Sequence, residues 1–562
     1  MASPGESSSS KKRIGRKRLP PLAPGPPIQF VVASHPDDFK ADSTMRNVRS
    51  HVMYNHREQR GSSPLDKGKG KESGGASGVN TRTPSPMTTA SDGILEDNTF
   101  LSPTQSRRSG TVSNQDFYNY TSGPQPRQPM RTLAARIIST ITATPARSAP
   151  PEVHESIEFP FPEQAFSSQD SLENLTQAYI NSTQFFCHDL SWMHWICGQR
   201  LSLLSHASIA CVYEDLAEGM VHDSELTICA KAKVLTAITD SLGMDDVTIL
   251  SICNLLVSGI GGFDEDVFDV HSEGLVRIIL HRGGLSKLPE NLAKTITIVL
   301  SCFTIMRGSA EPLILRGAAA SSSAPTITVN SDLVSPLQPP HTDMSQLYGL
   351  CSPLTIELLS DMHTLTHTYL ARCAYATHLD SASSAQIASC ESQQQQIYAR
   401  LLRRPPSDNA LQPDWIYESC RIAALIDCRS IVHGTTFADS GQVTHPWTIS
   451  QDPSNMSLLC ALHSAVAQTD TRSCWNDLRG VFLWVCLVGG AAAWPSSRLA
   501  SMEEGGNTSS TQALARKYFA LHAVKAAVSM PFDVADTTIQ ALRTMLQVRH
   551  WLDVGSGGRT VS

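Results

Sequence analysis

The stretch HSEGLVRIILHRGGLSKL, residues 271–288, places two histidines, two arginines and a glycine pair inside one apolar segment. Histidine can serve as a metal ligand or as a general base at neutral pH, and Arg-Gly-Gly occurs in segments that bind single-stranded nucleic acid. His271 and His281 are ten residues apart, which is near three helical turns, so they cannot bind one ion together. A single Arg-Gly-Gly does not form the repetitive array typical of RNA binding.

The same residues favour a helix and its end. Leu275 belongs to an apolar helical face, and Gly274, which has no side chain, would permit a neighbouring helix to approach closely. Gly283 or Gly284 can adopt the left-handed conformation that ends a helix, with Arg282 at its negative end. We therefore predict that this stretch is a buried helix with a defined stop rather than a site.

A second pair of histidines has spacing that could suit a metal. His363 and His367 lie four residues apart on one helical face. A zinc protease helix carries His-Glu-x-x-His, with the glutamate as general base, but position 364 is a threonine. Neither Glu357 nor Asp361 completes a ligand set. We expect these histidines at the margin of the helical core, without a metal.

The cysteines do not form a recognisable site. All 14 lie between Cys187 and Cys486, and none forms Cys-x-x-Cys. Most occur in apolar helical stretches, as Cys229, Cys253 and Cys302 do, where cysteine behaves as a small hydrophobic residue. The N-terminus MASPGESSSSKKR has no apolar core typical of a secretory signal, so no disulfide framework is expected.

Motifs for phosphate binding or covalent catalysis are absent from the sequence. It contains no Gly-x-x-x-x-Gly-Lys-Ser/Thr loop, no Gly-x-Gly-x-x-Gly after a strand and no Gly-x-Ser-x-Gly elbow. The carboxylates of FDEDVFD, 263–269, are interpreted as a solvated turn followed by an acidic helix start. The prediction is a protein that is not an enzyme, with no catalytic, cofactor-binding or metal-binding residue.

A basic cluster near the N-terminus gives the clearest functional signal. Six cationic side chains fall within eight residues: Lys11, Lys12, Arg13, Arg16, Lys17 and Arg18. Such a cluster predicts a nuclear import signal or a phosphate-contacting patch; the alternative is a solvated basic tail that nothing recognises. Because phosphate contacts carry no base information, we expect any DNA binding through this arm to be weak and non-specific.

The charge distribution agrees with a separate basic arm. Residues 1–150 contain 21 lysines and arginines against 11 aspartates and glutamates, a net charge of +10. The remainder contains 24 against 41, a net charge of −17, within a whole chain of −7. Anionic partners are therefore expected to meet the arm.

Composition divides the N-terminal third into three segments. Residues 1–29 are predicted to be a disordered basic, proline-rich arm, because such a segment buries too little apolar surface to offset its ordering entropy. Residues 30–60 form a patterned island with a predicted helix capped by Ser43 or Thr44. Residues 61–164 return to Ser, Thr and Pro and predict a disordered linker.

The pattern from 165 to 552 is helical throughout, and the predicted fold class is an all-α, multi-helix bundle. A disordered loop is predicted at about 317–351, and residues 553–562 are predicted to be a tail. The apolar run 480–494 is shorter than the roughly 20 residues needed to cross a bilayer, so we predict a buried helix. Other predicted helices cover 224–243, 352–378, 384–403, 414–433, 456–468, 475–493, 510–529 and 536–552.

Several segments together resemble a known family. HSEGLVRIILHRGGLSKL resembles the His-x-x-Gly-Leu…Arg-Gly-Gly segment of the fungal-specific transcription factor domain, the helical regulatory domain of zinc-cluster transcription factors. AKAKVLTAITD, 230–240, and FLWVCLVGGAAA, 482–493, are similar to segments that flank it in the family's order. FVVASHPDDFKAD, with VRSHVMYNHREQR, resembles an element found near the start of such proteins.

One departure from the family limits what the resemblance implies. The zinc cluster needs six cysteines beginning with Cys-x-x-Cys, but residues 1–186 contain none, so no zinc ligand is carried over. The resemblance implies a nuclear, regulator-like helical body without a zinc cluster of its own. Its expected partners are an import receptor, transcription machinery or a second copy of itself, with no membrane. The alternative is a cytosolic helical scaffold or small-ligand-binding module with no direct role in transcription.

Overall fold

The computed structural model describes residues 130–142, 171–183, 189–241, 243–262, 265–317, 333–377, 381–407, 413–444, 456–494 and 508–558. All of them belong to one of the two units into which the chain divides, Phe117–Ser562. Within these ranges the protein is all-α and has no strand, as the sequence predicts. None of the helices there combines the length and hydropathy that crossing a lipid bilayer requires.

Seventeen α-helices occupy the described ranges, and their bounds fall into three groups. The first six are α1 Met130–Thr142, α2 Leu172–Ser182, α3 Leu190–Cys197, α4 Arg200–Ala217, α5 Glu225–Ser241 and α6 Asp246–Gly259. Next come α7 Glu265–His281, α8 Glu290–Arg307 and α9 Leu313–Gly317. The last are α10 Pro353–Ala376, α11 Ser381–Arg403, α12 Trp415–His433, α13 Phe437–Gly441, α14 Leu458–Ala467, α15 Arg479–Ala493, α16 Thr508–Val528 and α17 Ala535–Gly558.

Short polar side chains set where many of these helices begin. The Ser224 hydroxyl accepts a hydrogen bond from the Thr227 N–H at 3.3 Å, which confirms the predicted start of α5. Such a bond satisfies one of the four N–H groups that a helix start leaves without a partner. The same kind of cap precedes α2, α3, α6, α10, α12, α13 and α14, at Ser171, Asp189, Asp245, Ser352, Asp414, Thr436 and Ser457.

Helix α15 lies at the centre, and every residue of it is buried. It packs against α8, α12, α13 and α16, so the predicted buried helix is confirmed. Its glycines allow close contact: a Cβ at Gly489 would lie 2.7 Å from the Phe519 ring of α16, and one at Gly490 would lie 2.5 Å from Met306 Sδ of α8. Small residues thus bring three helices together along this axis.

The N-terminal helices pack around α4, which contacts α1, α5 and α6. A buried polar contact ties them to the C-terminal helices. The Lys517 side chain of α16 is 2% exposed, and its ammonium group donates to Asp223, just before α5, at 2.9 Å. Lys231 of α5 pairs with the other oxygen of the same carboxylate at 2.6 Å. Because a buried ammonium group must be paired, these contacts fix α16 against the start of α5.

Two segments predicted to be disordered contain ordered structure. The predicted linker 61–164 includes α1, whose Leu133, Ile137 and Ile138 are buried, so the prediction is wrong for residues 130–142. Their spacing suits one helical face, but the surrounding Ser, Thr and Pro residues dominate the composition. The predicted disordered loop at 317–351 is also wrong from residue 333 onward, where the chain buries Leu333 and Leu337 and forms a 3-10 helix at Met344–Leu347.

The remaining boundary predictions have mixed outcomes. Helix α17 extends to Gly558, beyond the predicted start of the tail at residue 553. Apart from this end of α17, the predicted helices from 352 to 552 coincide with α10–α12 and α14–α17 to within a few residues at each end. The arm 1–29 and the island 30–60 lie outside the described ranges.

Candidate functional site

The stretch 271–288 forms the second half of α7 and its end. Gly283 and Gly284 have φ values of 98° and 91°, and the Gly284 N–H donates to the Ile279 carbonyl at 2.9 Å. This is the hydrogen-bond pattern of a glycine-terminated helix, as the glycine pair predicts. Arg282 forms a salt bridge with Asp246 at the start of α6. The glycines and Arg282 therefore fix the angle between two helices.

Two details of this helix differ from the prediction. Gly274 does not mediate a close helix contact, because a Cβ there would meet nothing within 4 Å. The helix is also buried on one face only: Leu275 and Ile279 are in the core, whereas Val270 is 67% exposed.

His271 lies on the same helix and is partly buried. Burial lowers the pKa of its ring, which is therefore neutral at physiological pH.

The second histidine pair has a structural role. His363 Nε2 donates to the Pro339 carbonyl at 3.1 Å, and His367 Nε2 donates to the Gln338 carbonyl at 2.7 Å. Burial lowers the pKa of both rings and favours their neutral forms. The pair thus holds the segment after Leu333 against α10. Across the described ranges, no group of three or more His, Cys, Asp or Glu side chains is placed to hold a metal ion.

The carboxylates at the start of α7 are less solvated than predicted. Glu265 pairs with Arg307 of α8 at 2.8 Å and accepts a hydrogen bond from Trp494 Nε1 at 3.0 Å. Asp269 pairs with the same arginine, and the Arg307 guanidinium lies 4.5 Å from the centre of the Phe268 ring. The prediction of an acidic first turn is right, but these groups cross-link three helices rather than only facing water.

The cysteines named above have the environment of small hydrophobic residues. Cys253, Cys302 and Cys486 are buried, and burial raises the pKa of all three thiols, to about 12 for Cys253. A protonated, buried thiol is a poor nucleophile. Cys229 is only partly buried.

A cavity of about 270 Å³ lies where α10, α11, α12 and α17 meet. One wall is a stripe of α10 formed by Tyr369, Arg372, Cys373 and Ala376. This stripe follows the i, i+3, i+4, i+7 spacing of one helical face. The opposite walls come from Ile387 and Glu391 of α11, Ile431 and Val432 of α12, and Trp551 and Leu552 of α17. The cavity is therefore mostly apolar and carries one cation and one carboxylate.

Among the described residues that line this cavity, Arg372 is the only one with a cationic side chain, and its ion pair is loose. Its side chain is 24% exposed, and its Nη1 lies 3.6 Å from Glu391 Oε1, beyond normal hydrogen-bond length. The guanidinium carbon lies 5.1 Å from the centre of the Tyr369 ring, a cation–π distance. Burial raises the pKa of Cys373, so its thiol is protonated at neutral pH.

Sequence reasoning did not single out this cavity. No sequence motif joins Arg372 to Glu391 or Trp551, which lie on other helices. The six basic residues at 11–18 lie outside the described ranges. Comparison with known protein families, with curated proteins and with solved structures returned no match to this chain. Membership of the fungal-specific transcription factor domain family thus stays a prediction.

Proposed function

We propose that this protein is a nuclear, non-enzymatic transcription regulator that acts through its helical body, with DNA targeting supplied by a partner rather than by a zinc cluster of its own. In this proposal the basic arm carries the import signal and adds only weak, non-specific attraction to DNA. The helical body would bind transcription machinery, a second copy of itself or a small effector.

The observation that carries the proposal is the order of the family-like segments along one helical body. AKAKVLTAITD lies on α5, HSEGLVRIILHRGGLSKL on α7 and its end, and FLWVCLVGGAAA on the central helix α15. The cationic cluster at 11–18, in a segment of net positive charge, supports the nuclear location.

Replacing all six cluster residues with alanine tests the nuclear location. We expect a tagged full-length copy to lose most of its nuclear accumulation, because import receptors recognise clustered cationic side chains. The measurement is the nuclear-to-cytosolic fluorescence ratio in living cells. A control variant with Lys67, Lys69 and Lys71 replaced by alanine removes basic charge elsewhere in the N-terminal region and should stay nuclear. An unchanged ratio in the six-residue variant contradicts the proposal.

A second candidate function is a small-ligand-binding helical module that works in the cytosol. The observation that favours it is the cavity between α10, α11, α12 and α17, with apolar walls and one weakly paired arginine. A cytosolic distribution of the unmodified protein, with no change in transcript levels on deletion, would favour this candidate.

A further inference from the structure

We propose that the cavity between α10, α11, α12 and α17 binds a small organic monocarboxylate, with Arg372 holding the carboxylate and the apolar walls holding the body of the molecule. This proposal does not depend on the proposed nuclear role, because ligand binding is measured on the purified protein. The fluorescence experiment on nuclear location neither supports nor contradicts it.

Arg372 supplies the first argument. A guanidinium has five N–H donors in a planar fork that matches a carboxylate. At 24% exposure most of this side chain has left water, yet the nearest carboxylate oxygen among the described residues is 3.6 Å away. Its other described contacts are the face of the Tyr369 ring and a hydrogen bond with the Cys373 side chain. A ligand carboxylate would give this guanidinium a charged acceptor at hydrogen-bond distance, which the 3.6 Å pair with Glu391 does not provide.

Glu391 supplies the second argument, because it is a weak competitor for Arg372. Its side chain is 55% exposed, and a partly exposed ion pair without a hydrogen bond contributes about 0–1 kcal/mol. The glutamate can turn to water when another carboxylate arrives. Its charge still opposes an anionic ligand, so removing that charge should strengthen binding.

The ends of two helices set a limit on the ligand's charge. Ala376 is in the last turn of α10, and Gly434 follows the last residue of α12. Both line the cavity, and helix C-termini carry a partial negative charge. With a single arginine opposing them, the cavity suits one negative charge and disfavours phosphate or a dicarboxylate.

Volume and wall chemistry set the size and character of the ligand's body. A cavity of about 270 Å³ has room for one compact organic molecule. Tyr369 and Trp551 offer aromatic surface, and Ile387 and Ile431 offer aliphatic surface. Phenylacetate combines one carboxylate with an apolar ring of suitable size and is the probe we choose.

The experiment titrates purified full-length protein with phenylacetate, benzylamine and benzyl alcohol, which share a ring and differ in charge. Ligand-observed NMR measures the Kd, which we expect in the millimolar range for about ten non-hydrogen atoms. We expect phenylacetate to bind at least about ten-fold more tightly than either analogue, since hydrogen bonds to charged groups are the strong ones. Tighter binding of benzylamine, or no binding of phenylacetate, overturns the proposal.

Variants then locate the site. Arg372→Gln should weaken phenylacetate binding by roughly ten-fold or more, whereas Glu391→Gln should strengthen it by about two- to five-fold. Arg400→Gln is the matched control, because Arg400 lies on α11 and pairs with Asp361 outside the cavity. It should leave the Kd unchanged.

A filling variant keeps the proposal testable if Arg372→Gln destabilises the fold. Ala376 is exposed at the rim of the cavity, so Ala376→Phe can fill space there without disturbing the core. We expect it to abolish phenylacetate binding while the melting temperature stays the same. Binding that survives in Ala376→Phe, or that does not increase in Glu391→Gln, places the ligand elsewhere and overturns the assignment.

Discussion

Asp427 of α12 is a carboxylate buried in the helical core, with one neutral hydrogen-bond donor. Trp484 Nε1 of α15 donates to its Oδ2 at 3.2 Å, and Oδ1 has no partner among the described residues. Burial raises the pKa of this carboxyl from 3.8 to about 7, because the charged form loses its hydration. Its charge state therefore changes near neutral pH inside the contact between α12 and α15.

This pKa shift predicts how stability depends on pH. The pKa of Asp427 is higher in the folded than in the unfolded protein, so the protonated carboxyl favours the folded state. This contribution to the free energy of unfolding is complete below pH 3.8 and is lost as the pH rises through about 7. The loss is on the order of 4 kcal/mol over that window. The Asp427→Asn variant has no group that ionises at this position. The difference in melting temperature between the variant and the unmodified protein should therefore shift in favour of the variant by a few degrees from pH 5 to pH 8.

An exposed carboxylate provides the control for that comparison. Glu273 is exposed on α7 and pairs with Arg277 one turn away. Glu273→Gln should track the unmodified protein at both pH values, because an exposed pair contributes little. Parallel pH profiles for Asp427→Asn and the unmodified protein would show that Asp427 is not the group that titrates.

At the scale of elements, the contact of α15 with α16 depends on the absence of a side chain at Gly489. A methyl group there would lie 2.7 Å from the Phe519 ring, which is itself fully buried and has no room to move. Gly274 of α7 is also within a helix, but its surroundings are open. Substitution of Gly489 therefore tests the steric requirement of the contact, whereas substitution of Gly274 tests helix propensity alone.

Alanine substitution at the two positions should have opposite effects. Gly489→Ala should destabilise the protein by about 1–3 kcal/mol, the usual effect of overpacking a core. Gly274→Ala should stabilise it by about 0.5–1 kcal/mol, because alanine favours the helix and nothing obstructs it. Thermal unfolding followed by circular dichroism measures both. A loss of stability in Gly274→Ala would mean that this glycine does mediate a contact.

At the scale of the whole molecule, α1 belongs to the folded body although it lies far along the Ser/Thr/Pro-rich segment. It packs on α2, α4 and α5 and buries Leu133, Ile137 and Ile138. Arg131 pairs with Asp215 at 3.0 Å, and that carboxylate also accepts hydrogen bonds from Ser224 and Thr227 at the start of α5. The helix thus covers apolar surface of α4 and completes a buried polar network.

Truncation on either side of α1 tests this boundary. We expect a chain of residues 130–562 to keep the melting temperature of the full-length protein. A chain of residues 144–562 should melt at a clearly lower temperature and aggregate, because burial of each large apolar side chain contributes about 1.5–3 kcal/mol. Calorimetry and light scattering measure both properties. Equal melting temperatures for the two truncated chains would show that α1 is dispensable.

Much of the fold was accessible from the sequence because it rests on local signals. The period of apolar residues predicted α5, α10–α12 and α14–α17, and a glycine pair predicted the end of α7. Helix α1 and the segment after Leu333 were missed, because polar and proline-rich sequence surrounds them. Their order comes from packing partners distant in sequence.

The sequence by itself determined the helical class, the charged N-terminal region and the apolar character of α15, since these depend on composition and near-neighbour spacing. Only the tertiary structure decided that Gly489 is a contact point and Gly274 is not, and that Arg372, Glu391 and Trp551 line one cavity. Such properties depend on which helix faces which, and that choice is made by the summed packing of the whole core. No short stretch of the chain contains that information.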